Sequence, residues 1–303
     1  MTTSLNFNLF SWENIDDYTN LSNKLDIDKH TEYNHNSDNI KEKLSYPSLN
    51  PQKNLFIVSD SNFHKIGYLL LIEEKIIDRA IVEIKILKNY QNDYVQSEFI
   101  KKAIELTKLL SIKYLNIQIH ESDNLMQISL KNYKFKKIKT YFNMQLISLS
   151  NINSKLPNGL YFSEFRLNKD EKVLTNLQNT IFKNSWGFCP NTIEEIYYKV
   201  RMQNSNPNGI ILIKNNYEHI GYVWTTQENK FGKISMTGII PKFRSLGIGN
   251  KLISKGIEYL FNNKYSIVNL EVDSENLNAV QLYKKIGFNK LSEIWWYEKK
   301  LIS

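Results

Sequence analysis

Residues Ile239–Leu252 read IIPKFRSLGIGNKL, and residues Glu271–Phe288 read EVDSENLNAVQLYKKIGF. In the first stretch an apolar strand end breaks at Pro241 and turns through Arg244, Gly247 and Gly249 into a helix. Beyond the turn, Leu252, Ile253, Ile257 and Leu260 recur at spacings of three and four, the mark of one buried helix face. Gly256 lies inside that stripe, where glycine lowers helix propensity by about 1 kcal/mol; its presence predicts close packing on a sheet. Glycines in the turn let the backbone approach a ligand with no Cβ in the way. A helix N-terminus adds partial positive charge at the same point. The turn therefore reads as an anion site, with the amides of Leu246, Gly247, Ile248, Gly249 and Asn250 as the cradle and a pyrophosphate as the expected guest. The second stretch is a strand followed by a helix. Asn276 stands where a cap is needed, and Tyr283 follows seven residues later, two turns on along one face.

Working outward, the same pattern occurs twice. A strand (Ile81–Leu87), a helix (Val95–Leu110), a strand (Tyr114–Ile119), a helix (Leu125–Asn132), Phe135 and a strand to Leu146 fill the first half. The second half repeats this as a strand to Ile240, a helix (Ile248–Phe261), a strand (Ile267–Val272), a helix (Leu277–Ile286), Phe288 and a closing strand. Phe135 and Phe288 are 153 residues apart, as are Glu105 and Glu258, while Asn124-Leu125 matches Asn276-Leu277 one residue nearer. A repeat this long means duplicated domains. Upstream, β-pairs are expected at Asn54–Ser59 with Gly67–Ile72, and at Gly209–Lys214 with Gly221–Thr226. Two helices precede each pair: Asp16–Leu25 and Asp38–Leu44, then Lys172–Asn184 and Asn191–Met202. Thr192 with Glu195 three residues on has the form of a capping box. The polar stretch Ser150–Asn158 reads as a linker. The expectation is an α/β chain with two tandem domains, residues 1–150 and 156–303, each a twisted mixed sheet flanked by helices.

Composition bounds the function. The chain has 303 residues, 42% of them apolar, enough for two cores. Its net charge of +8 comes from scattered lysines with no Lys/Arg run of five, which argues against a nucleic-acid partner. The positive field instead suits a polyanionic cofactor. Cys189 is the only cysteine, so no internal disulfide can form. No apolar run is long enough to span a membrane, and Met1–Asp17 lacks the basic start of a secretory signal. A cytoplasmic monomer or homodimer without metal or membrane partner is expected.

The two opening motifs carry a resemblance. Ile239-Ile240-Pro241 followed by R-x-x-G-x-G (Arg244, Gly247, Gly249), then N-x-x-A-x-x-L-Y-x-x-x-G-F (Asn276, Ala279, Leu282, Tyr283, Gly287, Phe288), resembles the GNAT superfamily of N-acetyltransferases. The likeness covers about Leu156–Ser303, and the tandem arrangement is similar to that of mycothiol-synthase-like members. It implies an acetyl-CoA site. The pantetheine arm would pair with strand backbone at Gly238, Ile239 and Ile240. Arg244 would orient the backbone or touch phosphate, and Asn276 would cap its helix and touch the cofactor. Tyr283 would lie near the CoA sulfur and give a proton to the departing thiolate. The acceptor base is open. In mycothiol-synthase relatives a Glu early in the fourth strand has that role, and Lys233 stands at the matching position here. Glu271 is the best remaining carboxylate. Trp186, Phe188, Tyr197, Trp224, Trp295 and Trp296 border the acceptor cleft if the fold holds, or else pack in core and edge. The first half lacks the machinery: Gln91, Tyr94 and Gln96 stand opposite Arg244, Gly247 and Gly249, and Lys131, within a residue, opposite Tyr283. Two readings follow. One is an acetyl-CoA-dependent enzyme acting on a primary amine of a small molecule or peptide. The other is a non-catalytic CoA- or metabolite-binding protein.

Overall fold

The computed structural model describes residues 4–27, 35–148, 152–228 and 230–301; Ser150, the start of the expected linker, lies outside them. The chain folds into two compact units. One is Met1–Thr140 with Ile294–Ser303, and the other is Tyr141–Glu293.

The first unit begins with β1 (Asn6–Leu9), α1 (Ile15–Ile27), α2 (Ser37–Leu44) and the single turn α3 (Pro51–Asn54). It continues through β2 (Leu55–Ser59), β3 (Lys65–Glu74), β4 (Arg79–Ile86), α4 (Asp93–Leu109), β5 (Tyr114–His120), α5 (Asn124–Asn132) and the start of β6 (Lys136–Leu146). Strands β1 to β4 pair antiparallel in sequence order, and β4 pairs parallel with β5 across the α4 crossover. Phe99, Ile100 and Ala103 of α4 are fully buried against this sheet.

The second unit runs through β7 (Tyr161–Glu164), α6 (Glu171–Phe182), α7 (Ile193–Lys199), β8 (Ser205–Lys214), β9 (His219–Glu228) and β10 (Phe231–Ile239). It ends with α8 (Ile248–Asn262), β11 (Val268–Asp273), α9 (Leu277–Ile286) and the first part of β12 (Asn289–Lys300). Strands β7 to β10 are antiparallel neighbours, and β10 and β11 run parallel. The expected stripe of α8 is buried, with Leu252, Ile257 and Leu260 at 0% exposure; each such side chain contributes roughly 2 kcal/mol of apolar burial. A Cβ on Gly256 would lie 2.7 Å from Val223 Cγ2 and 3.0 Å from Ile234 Cδ1. The bare glycine is what lets α8 settle onto β9 and β10. The capping box at Thr192 and Glu195 is complete in both directions.

The sequence pattern places both closing strands but not their partners. Residues Tyr141–Leu146 of β6 pair antiparallel with Val268–Asp273 of β11 in the second unit. Residues Ile294–Lys300 of β12 pair antiparallel with Tyr114–His120 of β5 in the first. Each half thus lends its final strand to the other unit. Period-two alternation specifies which face of a strand is buried, not which sheet receives it.

The duplication is strict where hydrogen bonds define it. The cap of α9 is Asn276, bonded to Ala279 N, and the cap of α5 is Asp123, bonded to Met126 N. Their spacing equals that of Phe135 and Phe288, so Asp123 and not Asn124 matches Asn276. Both helices also end alike. Gly287 and Lys134 each adopt positive φ, at 113° and 62°, and Phe288 N and Phe135 N reach back to Tyr283 O and Leu130 O. Leu130 is therefore the counterpart of Tyr283.

Candidate active site

The strand end, the turn and the helix start form one continuous feature in the second unit. After Ile239 a single 3-10 turn at Pro241–Phe243 redirects the chain, and Ser245 and Gly247 take positive φ of 66° and 73°. Gly247 is the N-cap of α8. It has no side chain to cap with, and the first helical turn carries no acid. A Cβ added at Gly247 would meet nothing within 4 Å, so the space before the helix is open. At Gly249 it would meet only Leu282 Cδ2, at 3.6 Å. The first-turn N–H groups of a helix have no intrahelical partners. Here they face open space with the helix dipole behind them. Leu246, at 62% exposure, stands at the rim, and Ile248 is buried beneath it.

Arg244 shapes this turn. Its Nε donates to Ile239 O at 2.9 Å, and an Nη donates to Ile181 O at 2.8 Å, tying the end of β10 to the last turn of α6. Both bonds are those of a backbone orienter.

The neighbouring strands part beside the turn. Parallel pairing of β10 with β11 covers only Gly232–Ile234 against Val268–Leu270, whereas β10 stays paired with β9 as far as Ile239. A bulge separates Ile234 from Met236 at the point of departure. Ile240 N donates to Ile220 O of the β9 side. Antiparallel alternation then turns the backbone of Gly238 and Met236 toward β9 and that of Thr237 and Ile239 toward the gap left by β11. Arg244 occupies Ile239 O, which leaves the Ile239 amide and the Thr237 backbone for an added strand-like ligand. Gly238 also makes room for α6. A Cβ there would lie 2.4 Å from Ile181 Cγ2, so the helix packs directly on its bare face. Ile239 and Ile240 are themselves core residues, at 7% and 8% exposure.

Tyr283 projects from α9 with 8% exposure, its ring edge against Phe288 at 5.9 Å between centroids. Burial pushes its hydroxyl up to about 12, so it keeps its proton at neutral pH. Asn276 accepts from Ala279 N at 3.3 Å.

Glu271 follows Leu270, the last β11 residue paired with β10, and so stands at the fork. Lys233 Nζ donates to its Oε1 at 2.6 Å. The lysine that replaces the expected glutamate therefore binds the other carboxylate. Oε2 of Glu271 has no hydrogen-bond partner among the described residues.

The sequence reading missed the polar ground around this pair. Register sets Asn143 beside Glu271 and Gln145 beside Asn269. Gln145 Nε2 donates to Asn269 Oδ1 at 3.1 Å, and Asn143 Nδ2 donates to Ser292 Oγ at 2.9 Å. The signal is present, since Tyr141, Asn143 and Gln145 alternate with Phe142, Met144 and Leu146, but the repeat alone puts β6 in the first half. Of the six aromatics left open between acceptor cleft and core or edge packing, Trp224 packs in the core, with Nε1 on Ser205 Oγ. Tyr197 is half exposed under Arg201, and Trp295 and Trp296 belong to the first unit. Trp186 and Phe188 are partly exposed. No group of His, Cys, Asp and Glu among the described residues could hold a metal ion, and no helix among them is long and apolar enough to cross a membrane.

An open glycine-capped helix thus lies beside a forked parallel pair, with a buried tyrosine on the next helix. Residues 172–288 match the acetyltransferase (GNAT) family. The mycothiol acetyltransferase of Stackebrandtia nassauensis is 28% identical over 149 residues, which is 47% of this chain and 49% of that protein. Thus the chain spans about half the length of the curated relatives it matches. Over its whole length the fold is that of tandem GNAT proteins. A tandem GNAT protein from the clavulanic acid biosynthesis pathway aligns with TM-score 0.76 and 13% identity, covering 98% of each chain. A GCN5-related N-acetyltransferase from Sphaerobacter thermophilus aligns with TM-score 0.77 and 12% identity, covering 98% of this chain and 95% of that one.

Proposed function

We propose that the second unit is an acetyl-CoA-dependent N-acetyltransferase that acts on a primary amine of a polar small molecule or peptide, working in the cytoplasm. The observation that supports this best is the parting of β10 from β11 beside the uncapped start of α8. It offers strand backbone and helix amides to a long anionic ligand at one place. The residues fit such a ligand: amides of Leu246, Gly247, Ile248, Gly249 and Asn250 would hold the pyrophosphate, and the Ile239 amide with the Thr237 backbone would hold the pantetheine arm. Acetyl-CoA supplies an activated acyl group as a thioester. Tyr283 holds a proton in a dry setting and would deliver it to the leaving sulfur. Glu271, through Oε2, would take the proton of the acceptor amine, directly or through water. The amides of Asn143, Gln145 and Asn269 favour an acceptor with hydrogen-bonding groups over a flat apolar one.

A second reading, a CoA-binding protein without catalysis, has one observation in its favour: the ion pair of Lys233 with Glu271 engages the only carboxylate assigned as base. A panel of amines assayed for CoA release separates the two. Catalysis predicts an amine that releases CoA faster than water does, with the rate lowered in Glu271→Gln. Acetyl-CoA binding without release for any amine would favour the second reading.

A further inference from the structure

The first unit carries a cavity of its own, of about 140 Å³, under α1 and α2. Tyr18, Ser22, Leu25 and Asp26 of α1 line it from one side, and Tyr68, Glu83 and Lys85 of the sheet from the other. His35, Ile40 and Lys43 complete it. Such a volume matches that of an engineered cavity that takes benzene, so a ligand of about six to eight heavy atoms fits. The lining is built from polar groups. Tyr68 donates through its hydroxyl to Glu83 Oε1 at 2.8 Å. Tyr18 is 2% exposed, and its ring stands edge-on to Tyr68 at 5.2 Å. Ser22 is 8% exposed. Burial pushes both phenols up, with the Glu83 charge adding to it, so both remain neutral donors.

The duplicate shows that the fold does not need these groups. Ile66-Gly67-Tyr68 recurs as Ile220-Gly221-Tyr222. In the strand registers Leu70 faces Glu83 where Trp224 faces Met236, and Tyr68 faces Lys85 where Tyr222 faces Gly238. The second unit closes this spot with Ile181 packed on Gly238. The first unit keeps a carboxylate and an ammonium there. A charge held under a helix is costly unless it is paired or used.

The charges balance: Glu83 and Asp26 against Lys43 and Lys85. Lys85 stands 3.7 Å from Glu83, and His35 Nε2 lies 2.7 Å from Asp26. Lys43, exposed at the mouth, has no ion-pair partner among the described residues. We propose that this cavity binds a small zwitterion, an α-amino acid, with its ammonium on Glu83 and the tyrosine faces and its carboxylate toward Lys43. Thermal-shift and calorimetric titration of the full chain with the twenty standard L-amino acids tests this. The expected result is saturable binding of at least one amino acid, weakened about tenfold or more in Glu83→Gln, which removes the charge but keeps an acceptor for Tyr68. Binding is also expected to vanish in Ser22→Leu, which fills the cavity. Lys43→Met should weaken the amino acid but not its decarboxylated amine. No binding by any of the twenty at millimolar concentration would mean the cavity holds water only and would overturn the proposal. Equal binding in wild type, Glu83→Gln and Ser22→Leu would overturn it too, whatever the state of the acetyl-CoA site.

Discussion

Helices α4 and α8 open the same segment of the repeat, α4 starting two residues earlier by the 153-residue offset, yet only one leaves its first turn open. At α4, Asn92 Oδ1 accepts from Val95 N at 3.0 Å, Asp93 puts a negative charge in the first turn, and Tyr94 stands at 39% exposure. Gln96 is buried and accepts from Ser129 Oγ at 2.9 Å. At α8 there is no cap, no acid and no side chain at Gly247. The turn before each helix is nevertheless held alike. Gln91 Nε2 donates to Ile86 O at 3.0 Å as Arg244 Nε donates to Ile239 O at 2.9 Å. The comparison separates two jobs that one motif combines. Gln91 and Arg244 both hold the frame of the turn, and only the second unit follows it with glycines that leave the helix start bare.

The largest effect should follow from giving α8 the residue α4 has. Gly247→Tyr puts a side chain at φ +73°, which costs about 1–2 kcal/mol, and covers amides worth about 1.5–3 kcal/mol each toward a charged phosphate. Acetyl-CoA binding by calorimetry should weaken about a thousandfold. Wild-type affinity in this variant would mean that the cofactor does not rest on these amides.

Next in size is Tyr283→Phe, whose counterpart in the first unit is the apolar Leu130. Loss of a general acid lowers turnover by about a hundredfold or more, while acetyl-CoA affinity should hardly move. The pH dependence has a definite sign. Because burial pushes Tyr283 up to about 12, the proton-bearing form persists above the usual phenol value of about 10. Wild-type turnover should therefore show no alkaline loss from this group up to about pH 10, and should fall only as pH approaches 12. Equal turnover in the Phe variant at every pH would exclude the acid role.

A smaller effect tests the frame. Arg244→Ala loses both backbone hydrogen bonds, and acetyl-CoA binding should weaken roughly tenfold through a loosened turn. Arg244→Gln can restore the bond to Ile239 O, as Gln91 does in the first unit, but cannot reach Ile181 O. It should recover part of the loss. Recovery by Lys but not Gln would point to phosphate contact instead.

These variants also show what the sequence could say. The glycine turn, the Asn276 cap and the helix that carries Tyr283 were legible because they depend on local spacing: a turn, an N-cap, two turns of helix. The polar ground beside Glu271 was not. It needs β6 from one half laid against β11 of the other, and strand alternation is silent about which edge a strand joins. The fate of the aromatics was hidden for the same reason. Trp295 and Trp296 pair with β5 on the exchanged strand, and the Trp224 indole finds Ser205 through the β8–β9 pairing. The Lys233–Glu271 ion pair, by contrast, could have been anticipated once two parallel strands were placed side by side.

The smallest effect comes from opening the closed helix. Asn92→Ala removes the α4 cap, which costs about 1 kcal/mol of stability, read as a lower urea midpoint. It should leave acetyl-CoA affinity unchanged and the stoichiometry at one per chain. The reason is that the cap is only one of three obstacles. Asp93 still repels an anion, and Tyr94 and Gln96 still carry side chains where the second unit presents bare backbone. A second equivalent of acetyl-CoA in Asn92→Ala would mean that side-chain capping alone closes the first cradle, and that the glycines of α8 matter less than its missing cap.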